Sequence, residues 1–133
     1  MISVELALRL RAAGLEWTPA SGDRFVIPGR GMDGDVFVVS ELTIDVHHAP
    51  TGPLIRFNGT TEWALDSVPQ EVVVWLPHEY QLREALGPRF RRLEPIGDGF
   101  AVVIEGPDGA EQRHVDVDAE RAYARALLAV LTG

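Results

Sequence analysis

The sequence predicts an α+β domain with a mostly antiparallel sheet and helices at the N-terminus, middle and C-terminus. Three observations carry this. Apolar residues recur at three- and four-residue steps near both ends of the chain, the period of a helix with one buried face. Between them lie short β-branched or alternating runs, the period of strands. Gly, Pro, Asn and Asp punctuate those runs as turns. With 133 residues, no internal repeat and no linker-like stretch, the sequence reads as a single domain over residues 1–133. A chain of that length can bury roughly two-thirds of its unfolded surface, enough for one core.

The first helix follows from Ser3 as its cap and from Ile2, Leu6, Leu10 and Ala13 along one face. Glu5 and Arg9 form an i,i+4 pair, and Gly14-Leu15 suits a left-handed cap followed by an apolar residue. Arg24 to Ile27 is a short strand stopped by Pro28, and a glycine-rich loop over residues 29–35 leads into a second strand, Val36 to Val39. Leu42, Ile44 and Val46 alternate with Thr43, Asp45 and His47, and the Pro50-Thr51-Gly52-Pro53 stretch turns the chain. Asn58-Gly59, between Leu54–Phe57 and Thr60–Leu65, predicts a two-residue hairpin with Leu54 opposite Trp63. A short helix capped by Thr61 is the competing reading. Val72 to Trp75 is β-branched and reads as a buried strand.

The last third reads as α-β-β-β-α. Pro77 suits the first turn of a helix with Leu82, Ala85 and Leu86 inward, ended by Gly87-Pro88. Phe90 to Leu93, Phe100 to Ile104 and Gln112 to Val117 are strands joined by Gly-Asp-Gly and Gly-Pro-Asp-Gly turns. Asp118 caps a closing helix with Ala119, Ala122, Tyr123, Ala126, Leu127 and Val130 on one stripe.

Composition narrows function. The net charge is −8, and all twelve cations are Arg. An acidic chain repels phosphate backbones, so nucleic acid is an unfavoured partner. Without Lys there is no Schiff-base lysine and no phosphate-binding lysine of a P-loop. Without Cys there is no disulfide framework, thiol nucleophile or cysteine zinc site. The opening residues carry no basic, apolar leader, so the sequence predicts a soluble cytoplasmic protein without membrane insertion.

No strong catalytic motif is present, and no cofactor is implied. The sharpest chemical constellation is a pair of His/Asp dyads. Asp45 and His47 fall on one face of a strand, as do His114 and Asp116 on another. Were those strands neighbours, the four residues, with His48, would suit a divalent metal and make the chain a small metal-dependent enzyme or ligand-binding protein. The plainer reading puts both dyads on solvent faces, with Val115 and Val117 inward. Asp33 and Asp35 lack the further acids of a calcium loop and read as solvated. Arg89, Arg91 and Arg92 form the one basic cluster, and with the α-β-β-β-α order they raise an RNA-binding alternative. Trp17, Phe57, Trp63, Trp75 and Tyr80 suit a core or an interaction face.

Gly22-Asp23-Arg24-Phe25, the run from Phe57 to Ser67, Trp75-Leu76-Pro77 and the closing helix resemble a family of actinobacterial proteins. Some members of that family carry the label pilus assembly protein CpaE. The resemblance covers most of the chain and brings no catalytic residues. The ATPase activity that the label implies needs a Walker lysine, which this sequence lacks. The sequence therefore favours a non-catalytic accessory or protein-interaction domain. Asn58, Thr60, Thr61, Glu62 and Trp63 are its candidate contact surface, and a protein partner or a second copy is the expected occupant.

Overall fold

The computed structural model describes residues 1–29, 34–39, 44–50, 52–57 and 67–133. Among them are three α-helices and three three-stranded antiparallel sheets, so the α+β class is as expected. The chain divides into two compact units. One comprises Met1–Glu16 and Pro77–Gly133 and holds all three described helices; the other comprises Trp17–Leu76 and is built from strands.

In the helical unit, α1 (Val4–Ala12) starts where the Ser3 hydroxyl accepts the Leu6 N–H at 3.1 Å. It ends in a Schellman motif: Gly14 N–H donates to the Arg11 carbonyl and Leu15 N–H to the Leu10 carbonyl. Gly14 has φ +111, which a side chain would resist. Ile2, Leu6 and Leu10 are buried, as the spacing predicts.

Helix α2 (Glu79–Leu86) is capped by His78, whose N–H donates to the Gln81 side chain at 2.8 Å, so Pro77 precedes the helix instead of opening it. Leu82 and Leu86 are buried, but Ala85 is exposed, contrary to the sequence reading. Arg83, itself exposed, sets its guanidinium 4.7 Å from the centre of the Phe90 ring.

Strands β7 (Phe90–Ile96), β8 (Gly99–Glu105) and β9 (Glu111–Asp116) form one sheet in sequence order. Helix α3 (Ala119–Thr132), capped by Asp118, packs against β8 and β9 and buries Ala122, Tyr123, Ala126 and Leu127. Phe90 stacks on Tyr123, so β7 and α3 meet through rings. The α-β-β-β-α order is therefore present.

In the strand-built unit, β1 (Arg24–Val26) lies between β2 (Phe37–Val38) and β6 (Val74–Leu76). Phe25, Ile27, Val39 and Val73 form its core, with Trp17 and Phe37 packed against them. The strand expected from Val72 starts later, because Gln70–Val72 is a 3-10 turn; the Gln70 side chain donates to the Trp17 carbonyl at 3.0 Å.

A second sheet contains β3 (Ile44–Ala49), β4 (Gly52–Phe57) and β5 (Ser67–Pro69). The Asn58-Gly59 turn and the Thr61 helix start lie outside the described residues, but β4 shows a different pairing from the expected one. Leu54 sits opposite His47 on one side and Pro69 on the other, so Trp63 is not its partner. A turn dipeptide biases only its own conformation. The register of β4 is set by the strands on both its edges.

Candidate interaction surface

The sheet of the helical unit has two unlike faces, fixed by its register. Residues directly opposite in antiparallel strands share a face. Arg92, Val103 and Arg113 form one row, Glu94, Ala101 and Val115 the next, and Ile96 sits opposite Gly99. These rows make the outer face. The alternate rows, with Phe90, Ile104, His114 and Asp116, lie towards α3.

On the outer face the charges close on one another. Arg92 donates to Glu111 at 2.8 Å and to Glu94 at 3.1 Å, and Arg113 donates to Glu94 at 3.0 Å. Each long arginine thus reaches diagonally across the central strand, over Val103 and Ala101, which are fully buried. Arg91 sits beside the bulge between Phe90 and Arg92, pairs with Glu105 and donates to the Pro88 carbonyl at 2.7 Å. Hydrogen bonds from Arg113 and then Arg92 hold the Glu94 carboxyl below the usual range, and Arg92 does the same for Glu111. Arg92 is raised by its bonds to Glu111 and Glu94.

The basic cluster read from the sequence is therefore divided. Arg91 and Arg92 are paired with carboxylates, while half-buried Arg89 lines a cleft of about 230 Å³ with Glu105, Gln112 and Thr132.

Beyond the charged rows the outer face turns apolar. Ile96, Val115 and Val117 are 45%, 52% and 67% exposed. Gly99 lies between Ile96 and Val117 as a buried floor. A Cβ there would stand 2.5 Å from the Asp116 carbonyl oxygen, so the position admits no side chain without a backbone shift. Three exposed β-branched residues around a glycine make a flat apolar patch beside a closed charge ladder.

The sequence reading had the alternation of β9 inverted: Val115 and Val117 face out, and Asp116 faces the helix. Asp116 is held there by Arg121 at 2.9 Å, Arg125 at 2.8 Å and the Asp118 N–H at 3.0 Å. Burial raises its carboxyl, but these donors outweigh it and bring the pKa to about 2. His114, half-buried, is lowered by desolvation. Two arginines and a helix start decide the facing of this strand, and the period of the sequence carries no such information. The signal that marks the patch is the helical spacing of Arg121 and Arg125, which offers Asp116 two partners one turn apart.

The four-residue metal set is split between two sheets. Asp45 and His47 lie on β3, opposite Arg56 and Leu54, and His48 is opposite Pro53. His114 and Asp116 lie on β9, whose hydrogen-bonded neighbour is β8. The strands are not paired neighbours, which the proposed set required. Among the described residues no group of three or more His, Asp or Glu is placed to hold a metal ion.

Asn58, Thr60, Thr61, Glu62 and Trp63 lie outside the described residues, as does Asp33; Gly34 and Asp35 are exposed. Trp17 and Trp75 stack at 6.1 Å within the strand-built unit, whereas Tyr80 is 59% exposed and stacks on His78. No helix among the described residues is long and apolar enough to cross a membrane. No family model matches the chain, and no curated protein or solved structure matches it.

Proposed function

We propose that this chain is a non-catalytic protein-interaction domain whose contact surface is the outer face of the helical unit. The observation that carries this reading is the exposed patch of Ile96, Val115 and Val117, set at the end of a sheet with a charged rim. An apolar centre beside charged residues is the usual anatomy of a protein contact. Pairing of Arg91 and Arg92 with glutamates speaks against phosphate as the target, since each neutralised guanidinium offers little to a nucleic-acid backbone.

The test is capture from a lysate of the source cells by the full chain, against the double variant Val115→Asp, Val117→Asp. Both valines are exposed, so the fold should survive, as circular dichroism would report. Capture should fall at least about tenfold, because a charge placed in an apolar contact is desolvated without a partner. Tyr80→Asp, on α2, should leave capture unchanged. Equal capture by the folded double variant would overturn the reading.

A further inference from the structure

We infer that β9 pairs antiparallel with β9 of a second copy of this chain, in the register that places Gln112 on the two-fold axis. This rests on the interaction-domain reading and names its partner. Strand β9 ends the order β7-β8-β9: it bonds to β8 on one side, and no described strand bonds to the other. Glu111, Gln112 and Arg113 along it are all exposed. An open edge of this kind is a template for another strand.

The charges select the register. A two-fold axis normal to the sheet keeps both outer faces on the same side, so outer-face residues must meet outer-face residues. An axis through Glu111 opposes two carboxylates, and one through Arg113 opposes two guanidiniums. An axis through His114 leaves Arg113 against Val115. Only an axis through Gln112, among these four, puts Glu111 of each copy opposite Arg113 of the other. The ladder that runs from Glu94 to Arg113, and from Arg92 to Glu111, then continues across six strands.

In the same register Ala110 falls opposite His114, and beyond Ala110 the second copy's chain turns back towards its own β8, so the paired span is 110–114. Asp116 lies outside that span, its charge already taken by Arg121 and Arg125.

The chain has no cysteine, which makes the register directly readable. Residues directly opposite across an antiparallel pair have Cα atoms about 4.5–5.5 Å apart, within disulfide reach. Full-length Gln112→Cys should therefore form a disulfide dimer under mild oxidation. His114→Cys, displaced from its own copy by four residues or roughly 13 Å, should not. By native mass spectrometry at high micromolar concentration the natural chain should be dimeric, Glu111→Arg and Arg113→Glu should each be monomeric, and their equimolar mixture should form a heterodimer.

A monomeric natural chain, a mixture that stays monomeric, or faster cross-linking of His114→Cys than of Gln112→Cys would each overturn the inference. If the natural chain is monomeric yet Val115→Asp, Val117→Asp still loses a captured protein, the homotypic pairing fails and the interaction reading stands. If nothing is captured either, both fail.

Discussion

Asp23 in the strand-built unit and Glu94 on the outer sheet of the helical unit do the same work in opposite surroundings. Each is a carboxylate taking two donors. Asp23 is 2% exposed; it accepts the Trp17 indole N–H at 2.9 Å and the Ala20 N–H at 3.0 Å. Glu94 stands on an open face and accepts from Arg92 and Arg113. In the first case the carboxylate itself is out of water and its charge depends on those donors. In the second, water replaces either partner. Burial, not the number of bonds, sets what each carboxylate is worth. Asp116, 9% exposed by its side chain and bridged to two arginines, lies between them.

The largest expected effect is at Asp23. Its backbone also closes the loop, with Asp23 N–H donating to the Ala20 carbonyl and Val39 N–H donating to the Asp23 carbonyl. Asp23→Ala should lower stability by about 2–3 kcal/mol, since two part-buried hydrogen bonds to a buried carboxylate are lost and Trp17 loses its anchor beside Phe25 and Trp75. Urea unfolding followed by tryptophan fluorescence reads this. A loss below about 1 kcal/mol would break the comparison, because it would put the buried carboxylate on the scale of an exposed one.

Asp116→Asn should come next, at about 1–2 kcal/mol near neutral pH, because an amide oxygen is a poorer acceptor for Arg121 and Arg125. Its pH dependence sharpens the comparison. The carboxyl titrates at about 2 in the folded chain, below its ordinary 3.8. The stability it contributes is therefore present above about pH 4 and is lost as the pH falls through about 2. The gap between natural chain and variant should be full at pH 6 and cut to roughly a third at pH 2.5, by urea titration at each pH. A gap that does not narrow would mean that the carboxylate charge is not what holds β9 to α3.

How much of this is legible in the sequence follows the same division. The helical unit was readable because its elements are long and their signals local: Ser3 caps α1, Asp118 caps α3, and Gly-Asp-Gly and Gly-Pro-Asp-Gly close the hairpins. The β2-β1-β6 sheet of the strand-built unit has strands of two and three residues, too short to show a period, and its surroundings are held by contacts such as Gln70 to Trp17 across 53 positions. Neither Asp23 as a loop fastener nor the Leu54–Pro69 pairing has a local signature.

The facing of β9 failed for a related reason. Its residues alternate correctly, but Val115 and Val117 look like core until Asp116 is seen between Arg121 and Arg125. Non-local ion pairs override the simplest reading of a two-residue period. The dyads that the sequence did single out are thus judged by where the chain brings them. One dyad is half-committed to α3, and the other lies in a different sheet.

The smallest expected effect completes the series. Glu94→Gln removes a charge that two arginines share, yet Arg92 keeps Glu111 and both guanidiniums remain in water. Side-chain ordering offsets most of what such an exposed pair gains, so the loss should be the smallest of the three, with the urea midpoint close to that of the natural chain. It should also shrink in added salt, since exposed charges are screened within about a Debye length, whereas the loss in Asp23→Ala should not. Equal salt sensitivity in the two variants would mean that exposure does not separate them. A loss at Glu94 as large as that at Asp23 would mean that the outer ladder is a rigid network that orders the sheet, with the same four side chains then shaping the edge offered to a partner strand.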